Sequence, residues 1–404
     1  MGWREAFGRY RVELLLFAGA LVLYAVFSGG LLAHQSLAPH FVWQADAFLH
    51  GRLDVQKPPN LNDWVLQDGR WYVSFPPFPA VLMMPFVAMA GLSFNDVAFT
   101  LVFAAANVAL FYSLLRRLRL SKLLAFLRLD SEPRPAFQDA ALALFFGFGT
   151  LAFSCSIRGE VWFTAEIIGV TLTLLYLHAS LGAAKPFLAG LAVACAAITR
   201  TPLAFSAAFF LFEAVRTSPR PMLLKKLLPF FAAIVLIAIP TAAMNQARFG
   251  SIGEFGHSHL YNNRVNAQVA RFGLFHYAFL ERNLHDAFTR LPEIQFHPLR
   301  IGFNGEGMSL FVTTPLFFYL LWPRRRDVLQ RELWLTTAVI ALPGFFYQNS
   351  GYFQFGFRFS LDYTPYLFLL LALGAHRFTR LFWATALAGV AVNAWGALVF
   401  NRLY

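Results

Sequence analysis

Apolar residues recur along this chain in runs of about 15 to 22, separated by short polar or basic stretches and by two long polar segments. Runs of that length match a helix crossing a ~30 Å hydrocarbon core, and they lack the strict alternation of barrel strands. They predict helices over about 12–33, 96–115, 138–156, 162–180, 186–199, 202–215, 227–246, 305–322, 333–347, 361–375 and 381–398. The chain therefore reads as an all-α, polytopic membrane protein with about eleven transmembrane helices in a single module over 1–404. The stretch 186–215 could be one helix broken at Thr201-Pro202. Two short crossings are preferred, because a single one would put the basic cluster from Arg216 to Lys226 on the wrong face.

Basic residues set the orientation. Arg4, Arg9 and Arg11 precede the first span and place the N-terminus in the cytoplasm, which makes about 34–95 the first outer loop and about 247–303 the second. The clusters at 116–134, Arg216 to Lys226, Arg324 to Arg331, and Arg377 with Arg380 then all fall inside. Within the first loop, FVWQADAFLH (41–50) puts Phe41, Ala45 and Phe48 on one helical face, with Gly51 as its stop, and predicts a helix on the membrane surface. Pro76, Pro77 and Pro79 open an apolar run to about Leu92 that reaches only ~20 to 24 Å as a helix, so it is expected to be re-entrant or interfacial.

Composition narrows the class. The chain is 58% hydrophobic and 13% charged, about half the charge of a soluble domain. Its formal charge of +12 sits in the short clusters that membrane topology requires, so no nucleic-acid partner is expected. Cys155 and Cys195 lie inside apolar runs and read as buried thiols. The first apolar run is too long for a signal-peptide core and is expected to be retained. Arg greatly outnumbers Lys and no Asn-x-Ser/Thr acceptor occurs, which leans towards a prokaryotic source.

Ionisable groups at membrane depth need a partner or a water-filled cavity. On this topology they gather at the outer face: Asp46, Asp54, Asp63 and Asp68 in the first loop, Arg158 and Glu160 before the fourth span, Arg200 at a helix break, and Arg358 with Asp362 entering the tenth. A cavity mixing carboxylates and arginines suits a reaction in which one group takes a proton and another holds a phosphate. Each residue also has a plainer reading. Asp46 could face water on its helix; Asp54, Asp63 and Asp68 suit turns; Glu160 could simply pair with Arg158. Glu166 could be a packing residue or a cavity carboxylate, Arg200 could reach the headgroups, and Arg358 and Asp362, four apart, could neutralise each other. His257-x-His259 lacks a further metal ligand at fixed spacing. Gly250, Gly253 and Gly256 suggest tight turns that let the second loop cap the cavity.

Several stretches resemble, in order, the C-type membrane glycosyltransferases, the group of lipid A aminoarabinose transferases and protein O-mannosyltransferases. They are ADAFLHGRLD, the DGRWYVSFPPFPAVLMMP entry with its Tyr-x-x-x-Pro-Pro pattern from Tyr72, RGEVWFTAE, GLAVACAAITRTP, and GYFQFGFRFSLDYTP. The resemblance implies inverting transfer of a sugar from a polyprenyl-phosphate donor to a lipid, glycan or protein acceptor hydroxyl, at the outer face of the cytoplasmic membrane and among its lipids. It implies Asp46 and Glu160 as catalytic carboxylates, with Arg200, Arg358, Arg158 and Asp362 at the substrate phosphate. No cofactor or metal residue is assigned, and a divalent cation is left open. The chain departs from the pattern in two places. Residues 34–45 hold no Asp or Glu where the family places its acid, and Phe75 stands before Pro76 where some members carry Lys. A lipid or solute transporter, or a non-catalytic envelope-assembly protein, are the rival classes.

Overall fold

The computed structural model describes residues 3–120, 134–260, 263–324 and 326–402. The part of the expected basic cluster at 121–133 lies outside them. Long apolar helices run over Trp3–Ser28 (α1), Asp96–Leu120 (α4), Val161–Ser180 (α6), Arg220–Phe249 (α9) and Arg380–Arg402 (α14). Among the described residues these five, α1 and α6 with their short 3₁₀ extensions, are long and apolar enough to cross a membrane. The remaining expected crossings are shorter or interrupted. Ala136–Phe148 (α5) stops at Gly149, and 305–322 is a four-residue turn, Leu310–Thr313, followed by a 3₁₀ segment beginning at Pro315. That second interruption has a plain cause, since Pro315 cannot donate to the preceding turn.

The first long loop folds much as its pattern predicts. His40–Leu49 (α2) is the helix expected there, with Phe41 and Ala45 buried and Gly51 at φ +66° just past its end. Phe78–Ala90 (α3) is the Pro-initiated segment, thirteen residues long and so ~20 Å. The all-α expectation needs one correction, because each long loop carries a β-hairpin. Trp64–Gln67 (β1) pairs with Arg70–Val73 (β2), and Glu293–Phe296 (β3) with Leu299–Gly302 (β4). Asp68 and Gly69 join the first pair with φ of +50° and +72°, the two positive dihedrals of a type I′ turn, which Asp-Gly adopts readily.

Between Pro186–Ala197 (α7) and Ala207–Thr217 (α8) the chain reverses. The Phe78 amide donates to the Ile198 carbonyl at one end, while Glu213 near the other end of α8 accepts from the Gly182 amide that follows α6. The stretch 186–215 is thus two segments forming a helical hairpin, with Arg200 at its bend.

Charge divides between the two ends of the helices. At one end Arg116 pairs with Glu13 (2.8 Å), Arg119 and Arg134 share Asp139, Arg216 bridges Glu213 and Glu332, and Lys226 donates to the Ala183 carbonyl. The carboxylates of the first loop lie at the other end. Between them sits one main apolar core, with α7 packed closely on α9 at Gly190, where a Cβ would collide with the Phe230 carbonyl oxygen. Small residues allow such close helix approach. Gly190→Val is therefore expected to destabilise the protein by about 1–3 kcal/mol, as overpacking does, whereas Gly19→Val, where nothing lies within 4 Å, leaves the melting temperature in detergent unchanged.

Candidate functional site

Four charged side chains, Glu166, Arg358 and Asp362 buried and Arg200 partly so, form one network at the end opposite the basic clusters. Arg200 grips Asp362 with two hydrogen bonds, Nε to Oδ1 at 2.5 Å and Nη2 to Oδ2 at 2.8 Å. Its Nη1 lies 3.5 Å from Oε1 of Glu166, and the same oxygen accepts from Nη1 of Arg358 at 3.1 Å. Arg358 also donates from Nε to the Gly351 carbonyl (3.1 Å), and Cys155 Sγ lies 3.5 Å from Glu166 Oε2. The Phe359 ring faces both guanidinium groups, 5.3 Å from Arg200 and 5.4 Å from Arg358. Such ring faces favour cations and keep water off them.

Backbone breaks put these groups together. Arg200 has extended dihedrals and precedes a 3₁₀ turn at Thr201–Ser206, where Pro202 replaces a donor. Arg358–Asp362 is itself a 3₁₀ helix. The expected mutual pairing of Arg358 and Asp362 is accordingly corrected. At about three residues per turn, positions four apart no longer share a face, so Arg358 turns to Glu166 and Asp362 to Arg200. Glu166 is buried and held between two arginines, rather than packed among apolar side chains alone.

Over this network the first loop brings Asp63. The residue has φ of +56°, a left-handed conformation that Asp and Asn tolerate better than most, and it immediately precedes β1. Trp162 Nε1 donates to its Oδ2 at 2.9 Å. Burial raises the Asp63 carboxyl above its ordinary range, while the Trp162 hydrogen bond and the Arg358 charge pull it back only in part. Around it stand aromatic rings: His40 stacked on Trp64 (4.2 Å between centroids), Phe75 against His40 (5.9 Å), and His257 against Phe75 (5.8 Å) and Tyr347 (6.5 Å).

His257 arrives from the second loop, which closes on the first. Val65 pairs with Leu260 in an isolated bridge, and Arg248 Nη1 donates to the Val73 carbonyl at 3.1 Å. Gly256, at φ +108°, rests 3.1 Å (as a Cβ) from Ser74 Cα. Gly250 also has positive φ, so two of the three glycines serve as the turns expected of them.

The other predicted residues lie outside the network, although Arg158 and Arg358 both lie over the Phe163 ring, 5.3 and 5.4 Å from its centroid. Asp46 stays on the outer side of α2, 3.6 Å from His50 and 3.7 Å from Arg52, away from the arginine network. Arg158 and Glu160 form a closed, buried pair, Nε to Oε2 at 3.1 Å, and Arg158 also donates to the Phe400 carbonyl at 2.9 Å, tying the start of α6 to the end of α14. Asp54 and Asp68 lie in turns of the loop. His257 and His259 diverge, the latter stacking on Phe249, and among the described residues no group of three His, Cys, Asp or Glu is placed to hold a metal ion. Asp63 was placed among the clustered loop carboxylates but weighed chiefly as a turn residue and not assigned to the chemistry. Its one distinguishing signal is that it borders the aromatic run WVLQDGRWY.

No protein-family model and no curated protein sequence matches the chain. Solved structures do share its fold. It is similar to ArnT from Cupriavidus metallidurans bound to undecaprenyl phosphate, with a TM-score of 0.53 and 14% identity over 94% of this chain and 62% of that one. It is also similar to the Archaeoglobus fulgidus oligosaccharyltransferase. The apo form gives a TM-score of 0.52 at 12% identity, over 98% of this chain and 57% of that one, and the complex with an inhibitory peptide and a dolichol-phosphate gives 0.51 at 13% identity, over 99% and 56%. The chain thus spans about three-fifths of their lengths. The resemblance to the C-type fold read from its motifs is shown at the level of structure.

Burial lowers both His40 and His257 to about 4, from an ordinary 6.5. Because the unfolded chain binds these protons more readily, stability is complete above pH 6.5 and is lost as pH falls towards 4. Each ring contributes up to about 1.4 kcal/mol per pH unit across that window. The melting temperature in detergent should fall between pH 7 and pH 5, and His257→Phe should flatten part of that decline. A decline of the same size in the variant would remove His257 from the account.

Proposed function

We propose that this chain is a membrane glycosyltransferase that moves a sugar from a polyprenyl-phosphate donor to an acceptor hydroxyl. The observation that carries the reading is one partly buried loop carboxylate, Asp63, placed in the field of Arg358, which shares Glu166 with Arg200. That arrangement occurs in a fold shared with an enzyme solved with undecaprenyl phosphate. In this reading the acceptor O–H gives its proton to Asp63 as its oxygen attacks the sugar's anomeric carbon. The bond from that carbon to the phosphate oxygen breaks on the opposite face, so configuration inverts. The departing electron pair settles on the phosphate, where the guanidinium groups balance its charge.

Glu166 and Asp362 have a definite part in this scheme. Together with the two arginines they sum to zero charge, so the network is stable when empty, and they fix the guanidinium planes in advance. A bound phosphate raises the Asp63 carboxyl further by like-charge repulsion, which strengthens it as a base. Asp46 and the Arg158–Glu160 pair, both expected at the chemistry, are assigned to support here: Asp46 to the outer face of α2, and the pair to the joint between α6 and α14. The same proposal has the N-terminus in the cytoplasm, about eleven crossings in a single module, and the site facing the exterior of a prokaryotic inner membrane. Its acceptor would be chosen by the two outer loops.

The test is transfer of labelled sugar from a panel of polyprenyl-phosphate sugars by purified protein in lipid, with a membrane extract as acceptor. Asp63→Asn keeps the Trp162 contact and suits the left-handed backbone, and it should lower the rate about 10²–10⁴-fold, the usual contribution of a general base, at normal accumulation. Asp46→Asn should stay within about threefold. Loss of transfer in Asp46→Asn with retention in Asp63→Asn would reverse the base assignment, and no turnover of any donor by the unmodified protein would defeat the reaction class. Below neutral pH the rate should fall as Asp63 takes up a proton, with a midpoint above the ordinary carboxylate range.

A further inference from the structure

A groove of about 1120 Å³, walled by α1, α4, α6 and α7, runs from the basic end of the helices up to Cys195 and Phe78, below the bend that carries Arg200. It is larger than the ~300–1,000 Å³ of ordinary small-molecule pockets. Leu172, Leu175, Leu188, Leu191 and Ala192 line its length, and Phe78 closes its upper end. From Lys185 to Cys195 along α7 it measures ~15 Å. Leu175 and Leu188 are about half exposed, so the groove opens sideways to where lipid chains would lie.

Its lower end is cationic. Arg116, Arg117 and Lys185 stand there with His178. Arg116 pairs with Glu13, Arg117 donates to the carbonyls of His178 and Leu181 and lies within the field of Glu213, and Lys185 is exposed with no carboxylate in reach among the described residues. An apolar channel ending in an excess of positive charge, with Lys185 open, matches one ligand class, a two-chain lipid with an anionic headgroup. We infer that this groove is a binding site for an anionic phospholipid, its phosphate between Arg117 and Lys185 and its acyl chains along α6 and α7. The basic end is the one the positive-inside rule assigns to the cytoplasmic leaflet, where anionic headgroups meet juxtamembrane cations. This site is separate from the arginine network, and its assignment does not depend on the transfer reaction.

Native mass spectrometry of the purified protein tests it, with phosphatidylglycerol and phosphatidylethanolamine of identical chains. Phosphatidylglycerol should be retained about fivefold or more over phosphatidylethanolamine, the scale of one basic residue at a charged surface. Lys185→Glu should abolish the preference. Ala192→Trp, which fills the channel without touching the charges, should remove the bound lipid while the protein stays folded. Equal retention of the two lipids, or a preference unchanged in both variants, would overturn the site. Displacement of phosphatidylglycerol by polyprenyl phosphate at equal concentration would also overturn it, by making the groove a donor channel.

Discussion

The interaction on which the rest of this structure depends is the buried quartet of Glu166, Arg200, Arg358 and Asp362. Removing one partner from a buried ion pair typically costs about 3–5 kcal/mol, because the remaining charge has no solvent. Four such groups therefore have to be brought together from three separate stretches of chain, and the backbone yields to make that possible. The bend after α7 presents Arg200, the 3₁₀ turn before Thr364–Leu373 (α13) presents Arg358 and Asp362 on different faces, and α6 carries Glu166 into the gap. Helix regularity is sacrificed where the charges meet and kept elsewhere.

The two long loops complete what the quartet begins. The β1–β2 hairpin holds Asp63 and Trp64 at its root, the second loop lays His257 beside them, Tyr347 joins from the end of the helix Val328–Phe346, and the Val65–Leu260 bridge locks one loop to the other. The result is a carboxylate raised by burial, facing paired guanidinium groups across aromatic walls. Charge at the opposite end is of another kind, with cations in excess over acids and partly open to lipid. The molecule is polarised along its helix axes, with the carboxylate–arginine network at one end and the excess of cations at the other.

Much of this was legible in the sequence because it is written in local periodicity. The helix expected over 41–50 is His40–Leu49, the Pro-led run becomes α3, Asp68-Gly69 sits in a turn, and the reversal between α7 and α8 falls at Arg200. Sequence also located three of the four quartet residues among its site candidates, and weighed Glu166 as a cavity group. It mispaired Arg358 with Asp362 because that pairing assumed α-helical spacing. Asp63 was not singled out from the other loop carboxylates because its partner Trp162 lies 99 positions away, and no periodicity encodes such a contact. The first hairpin likewise hides in a loop whose polarity suggests coil, and the 305–322 run looks continuous because hydrophobicity says nothing of the break at Pro315.

The most direct test of the account is an electron cryomicroscopy structure of the purified protein in lipid with a polyprenyl phosphate bound. The account predicts phosphate density within hydrogen-bonding distance of Arg358 or Arg200 and facing Asp63, with the prenyl chain leaving towards the bilayer. Density at the Arg158–Glu160 pair, or at the basic end of the helices with the quartet empty, would contradict it.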